Sequence, residues 1–229
     1  MFYVDVTGLV ILYDASEEAV AAFAEFCHRR RISIIRIIAA HDAVVSLHRS
    51  LSRLNGCADN VCRRFPEWGM MVVPEKLRDD AEPRLRLAYP HDVEKVAKGA
   101  VLAMAEELGL ETRDEDLDRL LRSKKDLIER GRYYVLEVDG TVLFQAYLSA
   151  KLPEVSQIQG VWVPPDYRGK GVATRCLTEM ARRCLGFSDR LVLRVQKRNK
   201  PAEAVYRKVG FQPFMDYLSV WYETGTSSG

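Results

Sequence analysis

The stretch Val161-Trp162-Val163-Pro164-Pro165-Asp166-Tyr167-Arg168-Gly169-Lys170-Gly171-Val172-Ala173 decides how this chain is read. Valines flanking a tryptophan suit a strand, the prolines and Asp166 a tight turn, and the glycines an entry into a helix. After Ala173 the residues Cys176, Leu177, Met180, Ala181, Cys184 and Leu185 form the apolar stripe of an amphipathic helix. Arg168 to Ala173 therefore stand at a helix N-terminus, where unpaired N–H groups and the helix dipole favour an anion. Gly169 and Gly171 carry no side chain to hold a phosphate away from those amides, and Arg168 and Lys170 add positive charge. The loop has neither the G-x-x-x-x-G-K-[ST] spacing nor the G-x-G-x-x-G spacing of the common nucleotide motifs. By itself it reads equally as a diphosphate cradle or as a solvated turn.

The residues after this helix decide between the two. Arg190 to Val195 (RLVLRV) reads as a short buried strand, bounded by Asp189 and the polar Gln196-Lys197-Arg198. Next comes Asn199-Lys200-Pro201-Ala202-Glu203-Ala204-Val205-Tyr206-Arg207-Lys208-Val209-Gly210-Phe211. Asn199 or Lys200 caps a helix there, Pro201 suits its first turn and Gly210 its end. The loop matches R-x-x-G-x-A, and the later segment matches N-x-x-A-x-x-x-Y-x-x-x-G-F. In that order, one helix and one strand apart, they resemble the two signatures of the GNAT N-acetyltransferase superfamily. The resemblance implies acetyl-coenzyme A as co-substrate, with its pyrophosphate on Arg168, Gly169, Lys170, Gly171, Val172 and Ala173. It also implies that Asn199 contacts the coenzyme and that Tyr206 sits near its sulfur.

Composition adds little. The chain has 229 residues, 48% hydrophobic and 29% charged, with a formal net charge of +2. This describes a globular protein with ample core and no demand for an acidic or basic partner. Arg29-Arg30-Arg31 and Arg63-Arg64 read as solvated helix ends rather than a nucleic-acid surface, because no aromatic residues interleave with them. No apolar stretch reaches membrane-spanning length and no signal peptide opens the sequence, so a cytoplasmic protein is expected. Cys176 and Cys184 lie on an apolar helix face and read as core. Cys57, Cys62, Cys27 and His28 have only loose metal-site spacing, so no metal is expected. His41, His48 and His91 are scattered, and surface or capping roles suffice for them.

Outward from the loop, the expected order is β-α-α-β-β-β-α-β-α-β. A strand at Leu85–Ala88 and a helix from Val93 to Gly109 come first. A second helix comes next, opened by the capping box Thr112/Glu115 and closed by Gly131. Tyr133–Val138 and Val142–Leu152 form a hairpin through Asp139-Gly140, and Ser156–Val163 feeds the loop. A last strand falls at Leu218–Tyr222. This is a mixed-sheet α/β domain over residues 84–223, with a disordered polar tail at 224–229. Residues 1–78 are expected to form a smaller α/β unit. Its strands are Leu9–Tyr13, Ile32–Ala39 and Met70–Val73, and its helices Ser16–Arg29 and His41–Leu54. That order copies half of a GNAT domain, but the turn at Asp14 to Glu18 carries two glutamates that repel a diphosphate. The unit reads as a degenerate half, with an unrelated α/β domain as the alternative. The chain resembles GNAT proteins with a poorly characterised N-terminal domain through "GRYYVLEVDGTVLFQA" and "QIQGVWVPPDYRGKG", and relative to them it is expected to begin partway into that domain.

The resemblance implies direct attack of a primary amine on the acetyl thioester. Backbone N–H groups at a bulge, at Val161, Trp162 and Val163 here, would face the thioester oxygen and the pantetheine. Tyr206 would protonate the departing thiolate, unless it is only a ring that anchors its helix. Many members place a glutamate eleven residues before the loop signature. Here that position is Gln157, whose amide cannot accept a proton. Gln157 and Gln159 share a strand face and are expected to orient the acceptor. Glu106 and Glu107 could reach the acceptor groove, and Glu107 is taken as the candidate base. A small-molecule or peptide amine is the expected partner, with nucleic acid and membrane excluded and a homodimer left open. Two other functions stay in play: a non-catalytic acyl-CoA-binding regulator, and a tandem-GNAT aminoacyl or peptidoglycan-type transferase.

Overall fold

The computed structural model describes residues 1–6, 8–13, 15–55, 61–109 and 114–222. In chain order the elements are β1 (Phe2–Val4), β2 (Leu9–Leu12), α1 (Glu17–Arg29), β3 (Arg36–Ala40), α2 (His41–Asn55), β4 (Val61–Val72), β5 (Arg86–Leu87), α3 (Val93–Leu108) and α4 (Asp114–Glu129). They continue with β6 (Tyr133–Val138), β7 (Thr141–Lys151), β8 (Ser156–Trp162), α5 (Val172–Leu185), β9 (Leu191–Gln196), α6 (Lys200–Val209) and β10 (Gln212–Tyr222). Two compact units form. One comprises Met1–Gly69, Arg194–Lys200 and Pro213–Gly229, and the other Met70–Leu193 and Pro201–Gln212.

In the first unit the strand order is β1-β2-β3-β10-β4. Its β2 and β3 are parallel, linked by α1, which starts where the Ser16 hydroxyl accepts the Ala19 N–H at 3.3 Å. The fully buried Val10, Ile37, Val44 and Leu47 form its core, with Val20 and Ala24 of α1 and Leu218 and Val220 of β10. The expected β-α-β-α-β order is present, but the boundary is not where the sequence places it. β10 pairs antiparallel with β3 from Tyr217↔Ala40 to Trp221↔Arg36, so the C-terminal strand completes the N-terminal unit. β4 begins at Val61 rather than Met70 and carries Pro66, whose carbonyl accepts the Lys197 N–H at 2.8 Å. β1 has no counterpart in the expected set.

The second unit has the strand order β9-β8-β7-β6-β5. The hairpin between β6 and β7 turns at Asp139 (φ 50°) and Gly140 (φ 78°), two left-handed residues as a type I′ turn requires. Side chains alternate across β6. Tyr133 and Val135 pack with Val96 of α3 and Ile128 of α4, while the Tyr134 hydroxyl meets the Cys184 Sγ of α5 at 3.8 Å. α3 and α4 therefore cover one face of this sheet and α5 the other. α3 ends at Gly109 in the left-handed region, α5 buries Cys176 and Cys184 fully, and α6 ends at Gly210 (φ 119°). A Cβ on Gly210 would overlap the Lys76 carbonyl oxygen, so no other residue fits there. Thr112, Cys57 and the tail 224–229 lie outside the described residues. No helix among those described is long and apolar enough to cross a membrane.

Burial pushes the phenols of Tyr133, Tyr134 and Tyr206 well above the ordinary tyrosine range. The unfolded chain would release these protons from about pH 10, while the folded chain keeps them. Their contribution to stability is thus complete below pH 10 and falls as pH rises beyond it. Lys124 works in the opposite direction, since burial lowers its pKa from 10.5 to about 8. It adds stability as pH climbs from about 8 to 10.5, but from about pH 10 the three phenols together outweigh it and the net decline begins. Titrating tyrosinate absorbance and far-UV circular dichroism together should show these three phenols ionising with unfolding. Their ionisation near pH 10 in a chain of unchanged dichroism would contradict the packing described.

Candidate active site

The site is built on the end of β8. That strand pairs in parallel with β9 only at Ser156↔Leu191 and Gln157↔Val192. Among the described residues no further pair joins them, so one edge of β8 is left open beyond Gln157. On the other edge, β7 pairs Gln145 with Trp162 and Tyr147 with Gln159. Two residues of β8, Gly160 and Val161, thus stand opposite the single Ala146, which is a β-bulge. Gly160 has φ 65°, and a Cβ there would lie 2.5 Å from a Tyr147 ring carbon. Both the backbone angle and the Tyr147 ring require glycine. The bulge interrupts the ladder at Gly160 and Val161, and Trp162 and Val163 beyond it are buried.

After β8 a single 3-10 turn, Pro165–Tyr167, leads to Arg168 in an extended conformation. Gly169 (φ 74°) and Gly171 (φ 77°) are both left-handed, and Gly171 is the N-cap of α5. The Arg175 N–H donates to the Gly171 carbonyl at 3.0 Å, so the amides of Val172, Ala173 and Thr174 head the first turn without intrahelical acceptors. Nothing lies within 4 Å of a Cβ position on Gly169, which leaves the loop open to a bulky anion. The Lys170 ammonium lies over the Tyr167 ring at 5.5 Å, beside the loop. Arg168 makes contacts within the unit that its sequence does not foretell. Its guanidinium donates to the Val163 carbonyl at 2.9 Å and to Glu106 of α3 at 2.7 and 3.0 Å. It ties the loop to the end of β8 and to α3, and Glu106 already balances its charge.

Around the bulge the second unit gathers several polar groups. The Tyr147 hydroxyl donates to Gln159 Oε1 at 3.2 Å. Tyr147 stacks on Tyr133 with ring centres 5.5 Å apart. The Glu107 carboxylate, at the end of α3, lies close enough to raise the pKa of both Tyr147 and Tyr206 beyond the effect of burial. Tyr206, on α6, is buried and meets Phe211 edge-on at 6.2 Å. Its phenol therefore keeps its proton at neutral pH. Gln157 takes part in both strand ladders, and its carbonyl accepts the Ser149 hydroxyl at 3.4 Å. Gln159, Glu107 and Tyr206 are thus held in one unit with the bulge and the loop. Asn199 lies in the other unit, where its N–H donates to the Gln196 carbonyl at 2.8 Å.

Sequence reasoning does not single out three residues of this neighbourhood: Gly160, Tyr147 and Lys124. A lone glycine inside a strand pattern signals a bulge, so Gly160 is open to recognition. Lys124 stands four residues from both Leu120 and Ile128, in the middle of an apolar helix stripe, and a charge at such a position is itself a signal. Tyr147 carries no mark that separates it from core aromatics.

Residues 101–211 match the family described as Acetyltransferase (GNAT) family. No curated protein matches the chain. Among solved structures, it resembles an acetyltransferase from the GNAT family of Colwellia psychrerythraea at TM-score 0.62 and 14% identity, covering 97% of this chain and 80% of that one. A GCN5-related N-acetyltransferase from Sphaerobacter thermophilus aligns at TM-score 0.60 and 13% identity, over 96% of this chain and 74% of that one. A tandem GNAT protein from the clavulanic acid biosynthesis pathway aligns at TM-score 0.57 and 12% identity, over 98% of this chain and 78% of that one. At such identities these likenesses concern the fold alone. The family match, with the bulge-and-loop arrangement at the end of β8 inside it, identifies residues 101–211 as a GNAT acetyltransferase domain.

Proposed function

We propose that this protein moves the acetyl group of acetyl-CoA to a primary amine by direct attack. The observation that carries this reading is the end of β8. There an open strand edge and a bulge at Gly160–Val161 run directly into a glycine loop that heads α5. The loop amides and Lys170 suit the diphosphate, and the freed edge of β8 suits the amide-bearing pantetheine arm. Backbone N–H groups at Val161 to Val163 are the donors for negative charge developing on the thioester oxygen. The amine nitrogen bonds to the acetyl carbon as the carbon–sulfur bond breaks. Tyr206 gives its proton to the departing thiolate, and Glu107, through water, takes the proton the amine loses. Gln157 and Gln159 line the strand on which the acceptor would rest. In this reading the first unit has no coenzyme site of its own. Its α1 opens on Ser16, Glu17 and Glu18, whose charges oppose a diphosphate.

Gly171→Asp tests the loop, because aspartate tolerates a left-handed backbone and the nearest obstacle is the movable end of Arg175. Its carboxylate would occupy the anion site, so affinity for acetyl-CoA should fall by about a hundredfold or more. Gly171→Asn, with the same shape and no charge, should lose far less. Equal affinity of the aspartate variant and the parent in calorimetric titration would remove the loop from the coenzyme site.

Tyr206→Phe keeps the ring against Phe211 and removes the hydroxyl alone. With any acceptor that turns over, kcat should drop by about 10²–10⁴ while the Kd for acetyl-CoA barely changes. Turnover at the parent rate would return Tyr206 to a packing role. Loss of coenzyme binding along with activity would make its hydroxyl a coenzyme contact.

A further inference from the structure

α4 carries one residue that neither its own helix nor the proposed chemistry accounts for. Lys124 is only 6% exposed, and its neighbours on the helix stripe are apolar. Its ammonium sits 4.4 Å from the centre of the Tyr147 ring and 5.7 Å from that of Tyr133. No carboxylate pairs with it among the described residues. A buried ammonium normally keeps an anion as partner, because ring faces replace only part of the lost hydration. Burial accordingly lowers its pKa to about 8, which leaves it mostly charged at neutral pH. The Tyr133 hydroxyl, also fully buried, makes no hydrogen bond of its own, with the Gln145 side chain as its polar neighbour. An ammonium without a carboxylate partner and an unbonded phenol hydroxyl therefore border one aromatic pair.

Their position is informative. Tyr147, the ring beneath Lys124, also covers Gly160 at the bulge and donates to Gln159 on β8. The lysine thus shares a ring with the strand segment at which the acetyl group would be delivered. We propose that the acceptor is an amine that also bears a carboxylate, as an amino acid does, and that Lys124 and the Tyr133 hydroxyl receive that carboxylate. An anion of the substrate supplies the partner the fold omits, and places the amine toward Gly160. This rests on the transferase reading above and names its substrate class.

Release of coenzyme A thiol by the full chain tests it. The acceptors would be the common amino acids, the carboxamide of each, blocked lysine peptides, putrescine and spermidine. At least one free amino acid should be acetylated with a KM about tenfold to a hundredfold below that of its carboxamide. Lys124→Met, which removes the charge at nearly constant shape, should raise the KM for the acid by a similar factor and erase its advantage over the amide. The same variant should keep the parent Kd for acetyl-CoA and melt at a higher temperature at pH 7, since it no longer buries a charge. Equal use of acid and amide, preference for the polyamines or peptides, turnover of no amino acid, or an undiminished preference in Lys124→Met would each overturn the proposal. Failure of acetyl-CoA to bind the parent chain in calorimetry would instead overturn the transferase reading, and the carboxylate proposal with it.

Discussion

Everything proposed for the second unit depends on how little of β8 is paired with β9. Two residues join them, Ser156 with Leu191 and Gln157 with Val192, and five more residues of β8 run on beyond. Backbone amides left out of a ladder carry a desolvation cost unless something else meets them. A continuous parallel pair would have no use for a ligand along that edge. The break creates the need, and the bulge at Gly160–Val161 interrupts the ladder with β7 on the same strand. That bulge is enforced twice, by a left-handed backbone and by the Tyr147 ring that fills the place of a side chain.

Charge is distributed in the same economical way. The loop before α5 would present an anion site through amides and a helix terminus even without its basic side chains. Arg168 accordingly serves geometry, clamping Val163 and Glu106, while Lys170 rests on Tyr167 at the rim. Deeper in the unit, titratable groups are held in the protonation state their surroundings impose. Tyr206 stays a proton carrier, whereas Lys124 is left with aromatic faces and no counter-ion among the described residues. A compensated arginine and a lysine without a carboxylate partner among the described residues thus stand in the same unit.

Much of this is legible in the sequence because it is local. The hairpin at Asp139-Gly140, the helix ends at Gly109 and Gly210, and the Gly169/Gly171 loop each arise from what neighbouring residues permit. The features that escape such reading are non-local. Nothing in Leu218–Tyr222 says that it will pair with Arg36–Ala40, and that pairing moves the C-terminal strand into the N-terminal unit. β4 is longer than the expected Met70–Val73 and carries Pro66, whose carbonyl still bonds to Lys197 while only a donor is lost. The clamp made by Arg168 needs α3 to bring Glu106 alongside, and the cage around Lys124 needs β6 and β7. Sequence shows that a charge interrupts the α4 stripe; only the fold shows what surrounds it.

The central claim is that the open edge of β8 and the loop after it form one coenzyme site. Amide hydrogen exchange with and without acetyl-CoA addresses it residue by residue. The account predicts slower exchange at Val161 to Val163 and at Gly169 to Thr174, with no comparable protection at the N-terminus of α1. Acetyl-CoA that binds while exchange at both segments stays as fast as in the free chain would contradict it.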